Sequence, residues 1–414
     1  MAWTVPGLYA VGAIASGIVL PRLEAYIWPD AVSGISVSSA TAIYSTIAAG
    51  TMTLSAIVFS LTFVMVQFSA TAYSPRLVLW LAADPMLAHA LGVFTGTFLY
   101  AIAAIAWVDR AGAHTVPIVS AGVVVLWLVA SIAMFIALMQ RVAQLQVSRM
   151  LAFTGDQGRR VIAALYSTAP AAAADDRPAD IIVGEPAQVL THRGRPRAVR
   201  AIDVAALVKL AGAADAVIEA VAAVGDTVME STPLLRVFGG VRPIDERLLR
   251  AAIDAGDVRT FEQDPQYAIR LLVDIAIRAL SPAVNDPTTA VQALDEIGDL
   301  LMRLGRSSLA TAPVRDEAGI IRVIVPLPTW DDFLRLAFDE ICCYGATSLQ
   351  VMRRMNALVS QLTAAVPKQR HAALAFWRQR LDSVVGRHFV DPDERRDASA
   401  EDRQGFGVSR RRIS

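Results

Sequence analysis

Two sets of polar residues in this sequence have types and spacings that could do chemistry. The first recurs every seven residues, Ser39, Thr46, Thr53, Ser60, Gln67 and Ser74, within a stretch otherwise apolar enough to cross a membrane. Seven residues are two helical turns, so these groups form one slowly drifting line along a helix. A hydroxyl or amide facing lipid meets no partner there. Thr46, Thr53, Ser60 and Gln67 are therefore candidates to line a polar path for a small ion or solute. The alternative is that the hydroxyls bond to carbonyls of their own helix and the line is a dry packing face.

The second set is Arg259, Asp264, Asp274, Arg278, Ser281, Asn285, Asp286, Thr288 and Thr289. Asp264-Pro265 and Asp286-Pro287 each read as a helix start, an acidic cap followed by a proline at the first helical position. Asp274 and Arg278 are four apart and can pair on one helix face. The architectural reading is two capped helices joined by a corner. The functional reading is a subunit contact or an anion site built from helix amides with Arg259 and Arg278.

Other chemistries lack a signal. There is no P-loop and no Gly-x-Gly-x-x-Gly turn after a strand. No Gly-x-Ser-x-Gly nucleophile motif occurs, and His89, His114, His192, His371 and His388 show no paired spacing with an acid. Lys209 and Lys368 are the only lysines, and the two cysteines, Cys342 and Cys343, are adjacent and offer neither a disulfide framework nor metal spacing. We expect no enzyme, cofactor or metal site. With 38 basic and 38 acidic residues the net charge is zero, which gives nucleic acid no electrostatic footprint.

The elements that must position these residues divide at about residue 140. Of 414 residues, 55 percent are hydrophobic, and residues 1–140 carry only Arg22, Glu24, Asp30, Arg76, Asp84, Asp109 and Arg110 as charged side chains. All seven sit in or beside candidate loops. Four stretches meet the ~20-residue requirement of a bilayer: about Trp3–Leu20, closed by Pro21-Arg22, then Ile43–Phe68, Leu87–Val108 and Val116–Gln140. The third contains Gly92-Val93-Phe94-Thr95-Gly96, a pattern that lets helices approach closely. Trp127 is mid-span and is expected to pack against a helix. Arg141, Arg149, Arg159 and Arg160 follow the last span and place that side in the cytoplasm. Both termini then face the cytoplasm, and Ser74, Pro75 and Arg76 form a membrane–cytoplasm junction after the second span. The N-terminus lacks a basic n-region, so it reads as a retained span rather than a cleaved signal.

Beyond residue 140 a juxtamembrane helix (141–168) continues from the fourth span. A linker leads to a β-rich module (181–240) whose Val224-Gly225-Asp226-Thr227-Val228 turn resembles small barrel-sandwich domains, without their cofactor-carrying lysine. Residues 241–390 read as mostly helical, with one helix over Ile244–Ala255 and a strand at Ile320–Val325. Residues 391–414 read as a disordered tail ending in Arg410-Arg411-Arg412, which is solvated or touches anionic lipid. The fold class is an α-helical multi-pass membrane domain of four transmembrane helices followed by an α+β cytoplasmic domain.

Tyr73-Ser74-Pro75-Arg76 and the run from Arg278 to Ala290, with the fourfold span pattern, carry a resemblance. The chain resembles the bacterial predicted membrane proteins of domain of unknown function 2254, from the first span to about Gly386. The resemblance implies a multi-pass protein of the bacterial cytoplasmic membrane and supplies no catalytic residue or substrate. Together these readings predict a homo-oligomer with channel-like architecture, in contact with the lipid bilayer. A non-conducting scaffold or sensor is the alternative, and a membrane-associated enzyme the third reading.

Overall fold

The computed structural model describes residues 4–28, 33–72, 85–110, 116–143, 147–166, 184–309 and 313–406. The chain forms two compact units, residues 1–146 and 147–414.

The first unit contains four apolar helices of membrane-spanning length: α1 (Thr4–Ile27), α2 (Val37–Ala72), α3 (Pro85–Val108) and α4 (Ile118–Ala143). Helix α3 is the hub. It packs on α1, α2 and α4 and buries Phe94, Tyr100, Ala101 and Ala104. The Gly92/Gly96 pair explains the fit. A Cβ on Gly92 would lie 2.5 Å from the Tyr9 ring, and one on Gly96 would lie 3.0 Å from the Trp127 ring. Tyr9 and Trp127 themselves meet edge to face at 6.3 Å. The small pattern seen in the sequence thus acquires its partners, an aromatic from α1 and one from α4. At the far end, the amide of Ser33 donates to Val116 O at 3.1 Å, so the connections after α1 and after α3 meet at one end of the bundle.

Two expectations for this unit are corrected. Helix α1 does not close at Pro21 but runs through it to Ile27. The amide that proline removes would have bonded to Gly17, and membrane helices tolerate that loss. Glu24, expected in or beside a loop, is consequently inside a helix and buried. At 36 residues, α2 is about 54 Å long, well beyond the hydrocarbon thickness of about 30 Å.

The second unit opens with α5 (Val147–Leu165). Residues 144–146, through which a single helix from the fourth span is expected to continue, lie outside the described residues. Two sheets follow. Strands β1 (Gln188–Thr191), β3 (Ala216–Ala220), β5 (Pro233–Gly239), β7 (Val314–Arg315) and β8 (Ile321–Ile324) form one in the order β1-β5-β3-β8-β7. All neighbours are antiparallel except β3 and β8, which pair Ile218 with Val323 in parallel. Strands β2 (Arg197–Ile202), β4 (Thr227–Val228) and β6 (Ile253–Gly256) form an antiparallel sheet in the order β4-β2-β6.

This arrangement differs from a barrel-sandwich confined to 181–240. A helix, α6 (Val204–Ala214), intervenes, and strands from beyond residue 250 complete both sheets. The apolar run that reads as β-leaning is capped as a helix, because Asp203 accepts from the Ala206 amide. The expected helix over Ile244–Ala255 is shorter: α7 spans Glu246–Ala251 and the chain then extends as β6.

Five further helices complete the unit: α8 (Pro265–Ala279), α9 (Pro287–Arg306), α10 (Trp330–Tyr344), α11 (Leu349–Ala365) and α12 (His371–His388). Their core is apolar and dense. Gly298 of α9 faces Leu358 of α11, and Gly158 of α5 faces Leu300 of α9. The segment after Asp391, expected to be disordered, instead forms α13 (Pro392–Ser399) and an extension to Phe406 that buries Asp402. Its partners are polar groups of α11, which sequence patterning does not pair with it. Residues 407–414, including the terminal arginines, lie outside the described residues.

Candidate functional site

The polar line on α2 lies on the face that the chain itself leaves open. Ser39, Thr46, Thr53, Ser60 and Gln67 are all exposed. Ala40, Tyr44, Ile47, Ala48, Thr51 and Val58 are buried, and on a helix that turns about 100° per residue they occupy the opposite side. The Thr46 hydroxyl donates to Ala42 O at 2.8 Å and the Thr53 hydroxyl to Ala49 O at 2.9 Å. Between these polar residues sit Ala42, Ala49 and Ala56, also exposed. The resulting series Ala42, Thr46, Ala49, Thr53, Ala56, Ser60 alternates steps of four and three. That is the spacing of a supercoiled helix seam, filled here with side chains small enough for close helix approach. Ser74, Pro75 and Arg76 lie outside the described residues.

A second feature of this unit went unread in the sequence. The Glu24 carboxylate accepts from the Val119 amide at 2.7 Å and from the Ser120 amide and hydroxyl at 3.0 and 3.1 Å. Val119 and Ser120 are in the first turn of α4, whose amides have no partner within the helix. Glu24 is thus a cap supplied by another helix, placed where the α4 dipole favours negative charge. Nearby, the Arg110 guanidinium stacks 3.5 Å from the Trp107 ring centroid, with Arg22 5.7 Å from the same ring. No local pattern identifies Glu24, because its partners are some 95 residues away.

The set of nine polar residues in the second unit is not one pocket. Asp264 opens α8, whereas Ser281 to Asp286 follow its end. Fifteen helical residues put about 22 Å between the two corners. At the first corner Asp264 is 2% exposed and its Oδ1 accepts from the Tyr267 amide at 3.0 Å. Its Oδ2 has no hydrogen-bond partner and lies 3.9 Å from the Arg259 guanidinium. Gly225, at φ +93°, lets the carboxylate come this close, since a Cβ there would lie 2.7 Å from Oδ2. Burial pushes the Asp264 carboxyl up from its ordinary range, and Arg259 offsets this in part. Burial likewise pushes up the Tyr166 hydroxyl, which feels the Asp264 charge.

At the second corner Asp286 caps α9, accepting from the Thr289 amide at 3.1 Å and its hydroxyl at 2.6 Å. Asn285 takes the left-handed backbone (φ +48°) that short polar side chains tolerate. Ser281 bonds back to Arg278 O at 2.7 Å, and Thr288 is exposed. Asp274 pairs with Arg270, four residues before it on α8. Arg270 also forks onto both Glu340 oxygens at 2.6 and 2.7 Å, tying α8 to α10. The Tyr267 and Thr289 amides that would hold an anion are therefore already filled by their own caps. Among the described residues, no group of three or more His, Cys, Asp and Glu is placed to hold a metal ion.

No solved structure matches this chain. Two curated relatives are similar to it, the uncharacterized protein Mb1321c of Mycobacterium bovis and the uncharacterized protein Rv1290c of Mycobacterium tuberculosis. Each is 26% identical over 398 residues, covering 92% of this chain and 73% of the relative. The family profile described as "Predicted membrane protein (DUF2254)" matches residues 1–361. With four helices apolar and long enough to cross a bilayer in that same region, the chain belongs to this family of membrane proteins.

Proposed function

We propose that the protein is a homo-oligomeric, channel-like assembly of the bacterial inner membrane, in which copies of α2 meet around a shared axis. The carrying observation is the exposed seam from Ala42 to Ser60, small along its whole length and opposite the face that packs inside the chain. An exposed seam of small residues suits close packing against symmetric copies of itself. Thr46, Thr53, Ser60 and Gln67 then line the axis and pass a small ion or solute. Arg149, Arg159 and Arg160 favour a cytoplasmic second unit, which gates or assembles the path. The role is conduction rather than catalysis.

The self-satisfied hydroxyls of Thr46 and Thr53 favour a second reading, in which the seam closes dry and the assembly is a scaffold. One experiment separates the two. Cysteines at positions 46, 53 and 60 are treated with a small hydrophilic thiol reagent in the membrane, beside controls at 52 and 59. Those two positions are also exposed in the chain and lie beside the seam. A wet path gives reaction at 46, 53 and 60 alone, with conductance in reconstituted bilayers that Thr53→Leu and Ser60→Leu reduce. A dry seam gives protection throughout and no conductance.

A further inference from the structure

The last described segment, residues 391–406, runs over a polar groove on α11 and α12. It carries six carboxylates against three arginines. The groove presents Arg353 and Arg354, both nearly buried, with Asn356, Ser360 and Arg378. Asp397 meets Arg353 twice, by its carbonyl at 2.5 Å and its carboxylate at 3.2 Å. Glu401 accepts from the Ser360 hydroxyl at 2.5 Å and lies 3.9 Å from Arg378. The carbonyls of Ala398, Asp402 and Gly405 accept from Asn356, Arg354 and Gln350.

This contact is built unlike the rest of the unit. Within α13 only Ala398 is buried, while Val390 and Phe406 at the two ends of the segment stay about four-fifths exposed. A segment held mainly by charges and carbonyls, with little apolar surface beneath it, opens at far lower free energy than a core helix. Both faces also remain water-compatible when apart, as in interfaces that form and dissolve. The fit is incomplete as well. Asn356 is 1% exposed, yet its Oδ1 has no hydrogen-bond partner. A segment offering a donor at that point gains what residues 391–406 do not supply.

We propose that this groove is a recognition site for an acidic polypeptide segment and that residues 391–406 are its built-in, displaceable occupant. The partner's chemistry is read from the occupant: a carboxylate at the end of a helical turn for Arg353, and a second four residues later for Ser360 and Arg378. A partner with these groups and a donor for Asn356 displaces the strap and takes its place.

The test uses the full chain in detergent and a labelled peptide of residues 389–406. A tethered strap competes at an effective concentration of order millimolar, so the peptide binds the unaltered chain weakly. In the chain carrying Asp397→Lys and Glu401→Lys the groove is vacated, and the peptide binds at least about tenfold tighter. Raising salt from about 0.1 to 1 M weakens that binding, and a peptide with Asp397→Asn and Glu401→Gln does not bind. Hydrogen exchange on the unaltered chain is independent of any variant's folding. The amides of Ala400, Asp402 and Gly405 should exchange at least about 100-fold faster than those of Val359 and Leu362, and faster still in high salt. Exchange of the strap at the same rate as α11 overturns the proposal. So does failure of the peptide to bind the variant while its α11 amides stay protected.

Discussion

Helices α2 and α3 are neighbours of similar composition, and they treat their small and polar residues in opposite ways. On α3, Gly92 and Gly96 are covered by Tyr9 and Trp127, and the Thr97 hydroxyl reaches across to Ser131 at 2.7 Å. On α2, the Ala-Thr-Ser seam is exposed among the described residues, and Thr46 and Thr53 turn their hydroxyls back on their own helix. A spacing of small residues therefore marks a contact face without saying whether the contact lies within the subunit or between subunits. Burial in the folded chain makes that distinction.

The comparison breaks most sharply if matched substitutions on the two helices behave alike. Gly92→Leu forces a side chain into the Tyr9 ring and should destabilise the first unit by about 3 kcal/mol or more, read as loss of folded protein in detergent. Ala49→Leu on the α2 seam should leave the melting profile unchanged and lower only the assembled fraction in sizing by light scattering. Equal melting losses in both would place the α2 seam inside the subunit.

The next effect belongs to Glu24. Removing its carboxylate orphans two α4 amides and the Ser120 hydroxyl. Glu24→Ala should cost about 1–3 kcal/mol in thermal unfolding, and Glu24→Gln, which keeps one acceptor, should cost less. A neutral Glu24→Ala would show that the carboxylate does not cap α4. In the second unit Asp286→Ala should cost about 0.5–2 kcal/mol, with Asp286→Ser restoring most of it, as expected of a helix cap.

The smallest effect is a pH dependence. Burial raises the folded-state value for Asp264, so the stability it gives is full below the ordinary carboxylate range and is lost as pH rises through the raised value. Asp264→Asn keeps a capping oxygen and removes the titration. The variant should therefore gain on the unaltered chain as pH rises from about 4 toward neutrality. Comparing the two chains also cancels the carboxylates shifted in other directions, Asp295 and Glu296 upward and Asp299 downward. Parallel stability curves would mean that Asp264 titrates alike folded and unfolded.

What the sequence made legible was local. The four spans, the Asp264 and Asp286 caps and the heptad line on α2 each follow from residues within a few turns of one another. Glu24 was misplaced because a carboxylate beside Pro21 reads as a loop until α4, some 95 residues on, supplies its donors. The apolar run at 204–214 read as part of a β-rich module because its alanines and valines suit either structure, and the cap at Asp203 decides for helix. The segment after Asp391 read as disordered because the arginines that hold it, Arg353 of α11 and Arg378 of α12, lie far from it in the chain. Splitting the nine-residue polar set required the length of α8, since a sequence cluster only 31 residues long can still sit at two ends of one helix.

The central claim is that the α2 seam meets copies of itself, and disulfide trapping in native membranes tests it most directly. In a chain with Cys342→Ala and Cys343→Ser, a single Thr53→Cys should form a covalent dimer under mild oxidation, while Phe59→Cys beside the seam should not. Monomer at position 53 with cross-linking at 59 would contradict the account and turn the seam toward lipid.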